Sequence, residues 1–142
     1  GFNGRIIILT GRNKPLLSKI NSLFDGNSRV NSVHFTDKVH IYMKAADILI
    51  TKAGGISSTE AAVSGIPIVF SLALPGCETY NARFFSQRKM AVESKSSDEA
   101  AALALKILAE ANQGDAMIQA QRDNINPYAA RDIAEYLVEK NG

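Results

Sequence analysis

Apolar residues occur along the chain in two alternating arrangements, short continuous runs and longer stretches with a spacing near 3.6 residues. A continuous run bounded by turn residues is typical of a strand buried on both faces, and the 3.6-residue spacing is typical of a helix with one apolar face. The first half of the chain predicts strands at residues 5–10, 30–35, 48–51 and 68–70, with helices at 15–24, 38–46 and 57–64. Because strands that alternate with helices form parallel sheets, we predict one α/β domain with a doubly wound parallel sheet and helices on both faces.

The second half of the chain is mostly helical in pattern. The elements predicted there are a helix at 77–89, an edge strand at 91–92, a helix from 97 to about 111, and helices at 115–124 and 128–140. Ser97 is the predicted N-cap of the second helix, because Asp98 and Glu99 follow it and acidic side chains in a first turn favour the helix dipole. Residues 112–114 predict a break before the next helix.

Length and composition are those of one globular domain. The chain has 142 residues, of which 46% are hydrophobic and 21% charged. No apolar run reaches the roughly 20 residues of a membrane-spanning helix, and the first residues do not resemble a signal peptide. A single cysteine, Cys77, is typical of a reducing, cytoplasmic compartment. Since the chain lacks an initiating Met and reaches its first strand near residue 5, we expect a piece of a longer protein.

The charge of the chain excludes one class of partner. A net charge of +2 is too close to neutral for a protein that binds duplex nucleic acid through counterion release. The distribution is uneven, because residues 1–71 carry +4 and residues 72–142 carry −2. The first half is therefore the better candidate to hold an anionic ligand.

The loops after the predicted strands are the candidate site, because ligands of parallel α/β sheets bind beyond the carboxyl ends of the strands. The loop after the third strand contains Gly54 and Gly55, followed by the hydroxyl residues Ser57, Ser58 and Thr59. Glycines allow close approach of the backbone, and N–H groups at a helix N-terminus attract phosphate. The pattern fits a diphosphate site, and it fits a tight strand-to-helix turn equally well.

Glu60, in the helix after that loop, has two interpretations. Its carboxylate can accept two hydrogen bonds from a ribose diol, or it can stabilise the helix dipole as a first-turn acid. Two other loops carry polar groups, namely Arg12 and Asn13 after the first strand and the turn of residues 71–81 after the fourth. Each is either part of a ligand site or a solvated turn, and convergence of the loops at one edge of the sheet favours the site.

Several known site classes do not fit the sequence. The chain has no G-x-x-x-x-G-K-[ST] P-loop, no G-x-G-x-x-G dinucleotide fingerprint and no second glycine to complete a nucleophile elbow. His34, Asp37 and His40 fall on a strand end, a loop and a helix start with no fourth ligand, so we predict no metal site. Cys77 has no obvious base partner, which argues against a catalytic thiolate.

Taken in order, these motifs resemble the C-terminal, donor-binding half of GT-B glycosyltransferases. The matching pieces are residues 35–40, D-I-L-I-T-K-A-G-G at 47–55, S-T-E-A at 58–61, G-I-P at 65–67, Pro75-Gly76-x-Glu78-x-x-Asn81-Ala82, and Gly11-Arg12-Asn13 after the first strand. The resemblance covers roughly residues 5–92. It is closest to monogalactosyldiacylglycerol synthase and the processive diacylglycerol glucosyltransferases, with the peptidoglycan N-acetylglucosaminyltransferase more distant.

The resemblance implies that the ligand is a UDP-sugar, and it assigns a role to each segment. The implied contacts are the diphosphate with Gly54, Gly55, Ser57, Ser58 and Thr59, the ribose with Glu60, the uracil edge with backbone at Phe35 and Thr36, the nucleotide side of the cleft with Arg12 and Asn13, and the donor sugar with Glu78 and Asn81 beyond the Pro75-Gly76 turn. Two positions depart from the pattern. Ala53 stands where relatives tend to have Pro, and Cys77 stands where they tend to have Gln, which puts the identity of the sugar in doubt.

The implied reaction is direct displacement at the anomeric carbon with inversion. It needs no metal or other cofactor, because the helix dipole and backbone N–H groups stabilise the UDP leaving group. The acceptor site and the base that deprotonates the acceptor hydroxyl lie in the N-terminal domain of such enzymes. That domain is absent from residues 1–142, so we expect either a fragment of a longer enzyme or one subunit of a split transferase. In both cases the chain binds donor without transfer activity of its own, and we assign no catalytic residue.

The expected partners follow from the same resemblance. They are a UDP-sugar and, through the missing domain, a lipid acceptor such as diacylglycerol. We expect the parent protein in the cytoplasm, with peripheral association at the inner face of the plasma membrane. Two other functions stay open: a UDP-N-acetylglucosamine 2-epimerase half, against which the Pro75-Gly76-x-Glu78 turn argues, and a non-catalytic interaction module with the same sheet.

Overall fold

The structure is a computed structural model that describes residues 2–71 and 75–141. The chain divides into two compact units, Gly1–Val39 and His40–Gly142. The N-terminal unit is a strand–helix–strand motif made of β1 (Ile6–Gly11), α1 (Lys14–Leu23) and β2 (Val30–His34). The two strands pair in parallel, and the register shifts between Leu9 and Gly11 near the carboxyl end of β1.

Helix α2 (Val39–Ala45) begins where the two units meet in the sequence. The C-terminal unit continues with β3 (Leu49–Thr51), α3 (Gly55–Ser64), β4 (Ile68–Phe70), α4 (Cys77–Gln87), β5 (Val92–Glu93), α5 (Ser97–Ala109), α6 (Ala111–Asn124) and α7 (Ala129–Asn141). Its strands pair in parallel in the order β3-β4-β5, with Thr51 opposite Phe70 and Phe70 opposite Glu93. The short strand β4 is therefore the centre of this sheet.

Strand β4 also lies at the centre of the core, and all three of its residues are fully buried. Successive strand side chains point to opposite faces of a sheet. Phe70 meets Phe85 of α4 edge-on, with ring centroids 5.7 Å apart. Val69 belongs instead to a cluster with Ala100, Ala104 and Ile107 of α5 and Met117 of α6. Helices thus cover both faces of β4, as expected for a strand that reads as a continuous apolar run.

Gln121 of α6 is a buried polar residue that hydrogen-bonds to two backbone carbonyls in the core, and no sequence pattern predicted this role. Its side chain is 0% exposed. The amide nitrogen donates to the carbonyl oxygen of Ile66 at 2.9 Å and to that of Met90 at 3.0 Å. Buried carbonyls need such partners, so Gln121 satisfies the backbone at two points where the chain approaches β4 and β5.

The predicted parallel α/β class is confirmed, and several details differ. The strands hydrogen-bond in two sets, β1-β2 and β3-β4-β5, where the pattern predicted one sheet. The edge strand is Val92–Glu93, one residue later than predicted. The N-cap of α5 is Ser96, not Ser97, because the Ser96 hydroxyl accepts the N–H of Glu99 at 3.1 Å.

The predicted break between two helices exists, but it lies at Glu110 and not at residues 112–114, which are helical in α6. Gly114 reflects close packing here. A Cβ at this position would lie 3.2 Å from Cγ of Pro67, so the absence of a side chain lets α6 approach the chain entering β4. A glycine within a helical pattern can indicate either a helix break or close packing, and the sequence does not distinguish the two. Within the described residues, no helix is long and apolar enough to cross a membrane.

Candidate functional site

The loop after β3 leads into an α-helix whose first N–H groups have no side-chain cap. Gly54 is the N-cap residue of α3, with φ −77° and ψ 135°, and it offers no side chain to the helix. Its own N–H donates to the Lys52 carbonyl oxygen at 2.8 Å, and the helical ladder starts when Ser58 donates to the Gly54 carbonyl at 2.9 Å. The N–H groups of residues 55–57 lie before that first ladder bond. The first turn of α3 holds no acidic residue, so this end of the helix is electropositive.

Of the three hydroxyl residues predicted to hold a diphosphate, only Ser57 is placed to do so at the surface of this turn. Ser58 is fully buried, and its hydroxyl has no hydrogen-bond partner among the described residues. Thr59 is exposed, but its hydroxyl donates back to the Gly55 carbonyl at 2.8 Å. The prediction that Ser58 and Thr59 line a phosphate site therefore does not fit this structure. For Ser58 the reason is its burial, and for Thr59 it is the hydrogen bond that its hydroxyl makes within the helix.

Glu60 is exposed and is the sixth residue of α3. It therefore lies outside the first turn, and the interpretation of Glu60 as a first-turn acid that stabilises the dipole is wrong. A reader of the sequence would start the helix at Ser57, which places Glu60 in its first turn. The helix starts two residues earlier because glycine serves as its N-cap.

The start of α4 lies against this loop. Asn81 donates its side-chain amide to the Ala53 carbonyl oxygen at 3.0 Å. A Cβ added to Gly55 would lie 3.6 Å from the same amide nitrogen. One turn earlier in α4, Glu78 pairs with Lys52, whose Nζ lies 2.9 Å from Oε1 of the carboxylate. The predicted meeting of the paired glycines with the Pro75–Asn81 turn is thus observed.

The turn that brings α4 to this position depends on Gly76. This residue is the N-cap of α4 and adopts φ +111° and ψ −138°, a conformation that residues with a side chain rarely adopt. Pro75, Gly76 and Cys77 are all exposed. Residues 72–74, in the first part of the predicted turn, lie outside the described residues.

The predicted nucleotide-side residues Arg12 and Phe35 meet in the N-terminal unit. The Arg12 guanidinium lies 4.6 Å from the centroid of the Phe35 ring, and that ring is 55% exposed. Their proximity follows from the β1-β2 pairing, which places the carboxyl ends of both strands side by side. A flat cation on an aromatic ring gives a surface suited to stacking of a planar base.

Two neighbouring residues have local roles instead. The Asn13 side chain caps α1 by accepting the N–H of Leu16 at 3.0 Å. The Thr36 hydroxyl accepts the N–H of Lys38 at 3.1 Å. The prediction that the Asn13 side chain lines a nucleotide cleft therefore competes with its capping role, whereas the expectation for Thr36 concerned its backbone.

The sequence analysis missed Lys52 as a site residue. Its position between the end of β3 and the glycine pair was a usable signal, because a cation beside a proposed phosphate site can neutralise the phosphate.

In the part of the chain that the structure describes, no group of three or more His, Cys, Asp or Glu residues is arranged to hold a metal ion.

Comparison with known proteins gives the family. The chain matches the glycosyltransferase family 28 C-terminal domain over residues 2–137. It belongs to this family. Processive diacylglycerol beta-glucosyltransferases of Staphylococcus aureus strains MRSA252 and Newman are each 27% identical over 144 residues, which cover 99% of this chain and 36% of theirs. This chain thus spans 36% of the length of these relatives.

Solved structures with the same fold include other glycosyltransferases. MurG of Acinetobacter baumannii has a TM-score of 0.73 at 19% identity, over 97% of this chain and 42% of its own. WaaG, a glycosyltransferase involved in lipopolysaccharide biosynthesis, has a TM-score of 0.68 at 21% identity, over 93% and 37%. A Listeria monocytogenes protein described as a UDP-N-acetylglucosamine 2-epimerase has a TM-score of 0.67 at 15% identity, over 93% and 44%. The GT-B, Rossmann-like fold class is confirmed, and the epimerase shares it.

Proposed function

We propose that this family 28 domain binds the UDP-sugar donor of an inverting glycosyltransferase that transfers a hexose to a lipid such as diacylglycerol. The observation that carries the proposal is the meeting of the uncapped start of α3 with the first turns of α4, through Lys52–Glu78 and Asn81–Ala53. Family membership supports sugar transfer, and the S. aureus relatives are named for transfer to diacylglycerol.

In the proposed site, the N–H groups at the start of α3 bind the diphosphate, with Gly54 and Gly55 allowing its close approach. Ser57 adds a hydroxyl at the same turn, and Glu60, one turn further on, accepts the ribose hydroxyls. Electropositive N–H groups lower the barrier to donor cleavage, because negative charge develops on the UDP oxygen as the glycosidic bond breaks. This stabilisation requires no metal ion or other cofactor.

The donor sugar lies, in this proposal, at the start of α4, beside Glu78 and beyond the Pro75-Gly76 turn. Asn81 acts there mainly through Ala53, since its amide already holds the loop. In the N-terminal unit taken by itself, the Arg12–Phe35 pair is suited to stack on a planar base, and the contact of uracil with backbone at Phe35 and Thr36 stays a prediction.

The acceptor site and the base that deprotonates the acceptor hydroxyl belong, we propose, to the part of the parent enzyme that this chain does not match. On that basis the chain alone binds donor without transferring sugar. The parent is proposed to act in the cytoplasm at the inner face of the plasma membrane, where a lipid acceptor is accessible. We propose that this domain binds no nucleic acid, in keeping with the net charge of +2 on residues 1–142.

The proposal is tested by calorimetric titration of the chain with UDP, UMP and a nicotinamide dinucleotide. We expect clear binding of UDP, weaker binding of UMP because it lacks the second phosphate, and no response to the dinucleotide. Absence of binding to either uridine nucleotide would refute the donor site and favour an interaction module. Incubating the parent enzyme with UDP-sugars, with and without diacylglycerol, separates transfer from epimerisation, since an epimerase consumes donor without the lipid.

A further inference from the structure

Lys52 pairs with a carboxylate that is much less exposed than itself. Its Nζ lies 2.9 Å from Oε1 of Glu78, and the side chains are 69% and 17% exposed, respectively. The glutamate is therefore the confined partner. The lysine is a compact charge on a flexible four-carbon stem at the surface, so it is the partner able to move.

Lys52 is the basic residue of the sequence segment that contains the start of α3. Between residues 46 and 82 the sequence holds one basic residue, Lys52, against the acidic residues Asp47, Glu60 and Glu78. A diphosphate adds at least two more negative charges to this segment. The helix N-terminus supplies only a partial positive charge, so Lys52 is the full positive charge that the segment itself can offer.

The backbone at Lys52 is fixed, whereas its ammonium is free to change partner. The Lys52 carbonyl accepts the Gly54 N–H at 2.8 Å, and the next carbonyl, that of Ala53, accepts the Asn81 amide at 3.0 Å. Lys52 is thus held two residues before the N-cap of α3. The ammonium end is exposed and can reach another anion, but the Glu78 carboxylate is confined, so other hydrogen-bond donors have to replace the ammonium when it leaves.

We infer that Lys52 is a shared counter-ion, which neutralises Glu78 in this structure and moves to the diphosphate when the UDP-sugar binds. The sugar hydroxyls then take the place of the ammonium as hydrogen-bond donors to the Glu78 carboxylate. Donor binding would therefore couple the phosphate and sugar contacts through one side chain. This inference rests on the proposed function.

The first test compares UDP with uridine, by calorimetry, on the wild-type chain, Lys52→Met and Lys52→Arg. Loss of one charge-assisted contact should weaken UDP binding about tenfold in Lys52→Met. Uridine, which has no phosphate, should bind both proteins equally, and Lys52→Arg should restore most of the UDP affinity because it keeps the charge. Lys95→Met is the matched control, since Lys95 is an exposed lysine just before the N-cap of α5.

The second test asks whether Lys52 and Glu78 act on UDP as a pair. UDP carries no sugar to replace the ammonium at Glu78, so in this inference Glu78 competes with UDP for Lys52. Glu78→Gln should therefore tighten UDP binding severalfold, and the same substitution made in Lys52→Met should have no effect. A purely structural lysine would not produce this dependence of one substitution on the other. Circular dichroism and thermal melting check that every variant is folded.

Three results would overturn the inference. Lys52→Met could bind UDP as tightly as the wild type, it could lose UDP and uridine to the same extent, or Glu78→Gln could weaken UDP in both backgrounds. In each case UDP binding by the wild-type chain would leave the donor proposal standing. A wild-type chain that binds no uridine nucleotide would remove the proposed function and this inference with it.

Discussion

Two helices of the C-terminal unit begin in different ways. Helix α5 is capped by Ser96, whose hydroxyl accepts the Glu99 N–H at 3.1 Å, and the Glu99 carboxylate accepts the Lys95 N–H at 2.6 Å. Asp98 and Glu99 also place two acids in its first turn. Helix α3 begins at Gly54 with no side-chain cap and no acid in its first turn. The two N-termini therefore differ in hydrogen bonding and in charge.

The difference separates a structural helix end from one suited to a ligand. At α5, side chains of the protein satisfy the N–H groups and the positive end of the dipole, so little attraction for an outside anion is left. At α3, the first N–H groups have no side-chain cap, and no acidic residue of the first turn neutralises the positive end of the dipole. Glycine at an N-cap costs roughly a few tenths of a kcal/mol relative to a capping side chain, a small loss of stability that donor binding would explain.

Adding a cap to α3 should have the largest effect on binding. Gly54 already has the backbone conformation of an N-cap residue, and a Cβ there would meet nothing within 4 Å. Gly54→Asp should therefore raise the melting temperature while weakening UDP binding about 100-fold, because a carboxylate would occupy the N–H groups and repel the diphosphate. Calorimetry and thermal melting measure the two effects.

Gly54→Asn separates the effect of capping from the effect of charge. Asparagine and aspartate are about equally good N-caps, but asparagine is neutral. It should give similar stabilisation and a smaller loss of UDP affinity. If Gly54→Asp bound UDP as tightly as the wild type, the diphosphate would have to bind somewhere other than the start of α3.

The glycine N-caps of α3 and α4 should respond differently to alanine. Gly76 has φ +111°, whereas Gly54 has φ −77°, and a Cβ would meet nothing within 4 Å at either position. Gly76→Ala should therefore cost about 2 kcal/mol through backbone strain alone. Gly54→Ala, its matched control, should change the free energy of unfolding by roughly 0.5 kcal/mol or less, because the poorer N-cap is offset by the smaller conformational freedom of alanine in the unfolded chain. Urea denaturation measures both, and equal effects would contradict the strain argument.

The fold was largely predictable because its signals are local. Continuous apolar runs found every strand to within two residues at each end, and the buried β4 matched its prediction at residues 68–70. Where prediction failed, one residue type served two purposes. Gly114 looks like a helix breaker, but it allows α6 to pack closely on Pro67. Sequence spacing does not reveal which neighbour a missing side chain makes room for.

The candidate site was predictable as segments but not as individual side chains. The meeting of the glycine loop with the start of α4 followed from parallel topology, in which neighbouring strands end at the same edge. The burial of Ser58 and the pairing of Lys52 with Glu78 depend on where α3 begins and on contacts 26 residues apart, which a single sequence does not fix. Convergence of all four strand-end loops on one ligand stays a prediction.

Glu60, in the helix with the uncapped start, tests the ribose contact of the proposed site. The proposed contact with the ribose diol requires the 2′-hydroxyl, so UDP should bind more tightly than its 2′-deoxy analogue. Glu60→Ala should weaken UDP about tenfold and abolish that preference, because one charge-assisted hydrogen-bonding partner is removed. Glu139→Ala on α7, an exposed glutamate far along the sequence, is the control and should leave binding unchanged. A preference for UDP that survives in Glu60→Ala would assign the ribose contact to another residue.

Removing the cap of α5 should give the smallest effect and the opposite pattern to Gly54→Asp. Ser96→Ala deletes the hydroxyl that accepts the Glu99 N–H, so the free energy of unfolding should fall by about 1 kcal/mol, measured by urea denaturation. UDP affinity should stay that of the wild type, because the capped end of α5 offers no binding surface for the diphosphate. A fall in UDP affinity of tenfold in the folded variant would mean that stability of the C-terminal unit, rather than the open start of α3, controls binding. An unchanged affinity, set beside the loss in Gly54→Asp, would assign binding to the one N-terminus of the pair that the protein leaves uncapped.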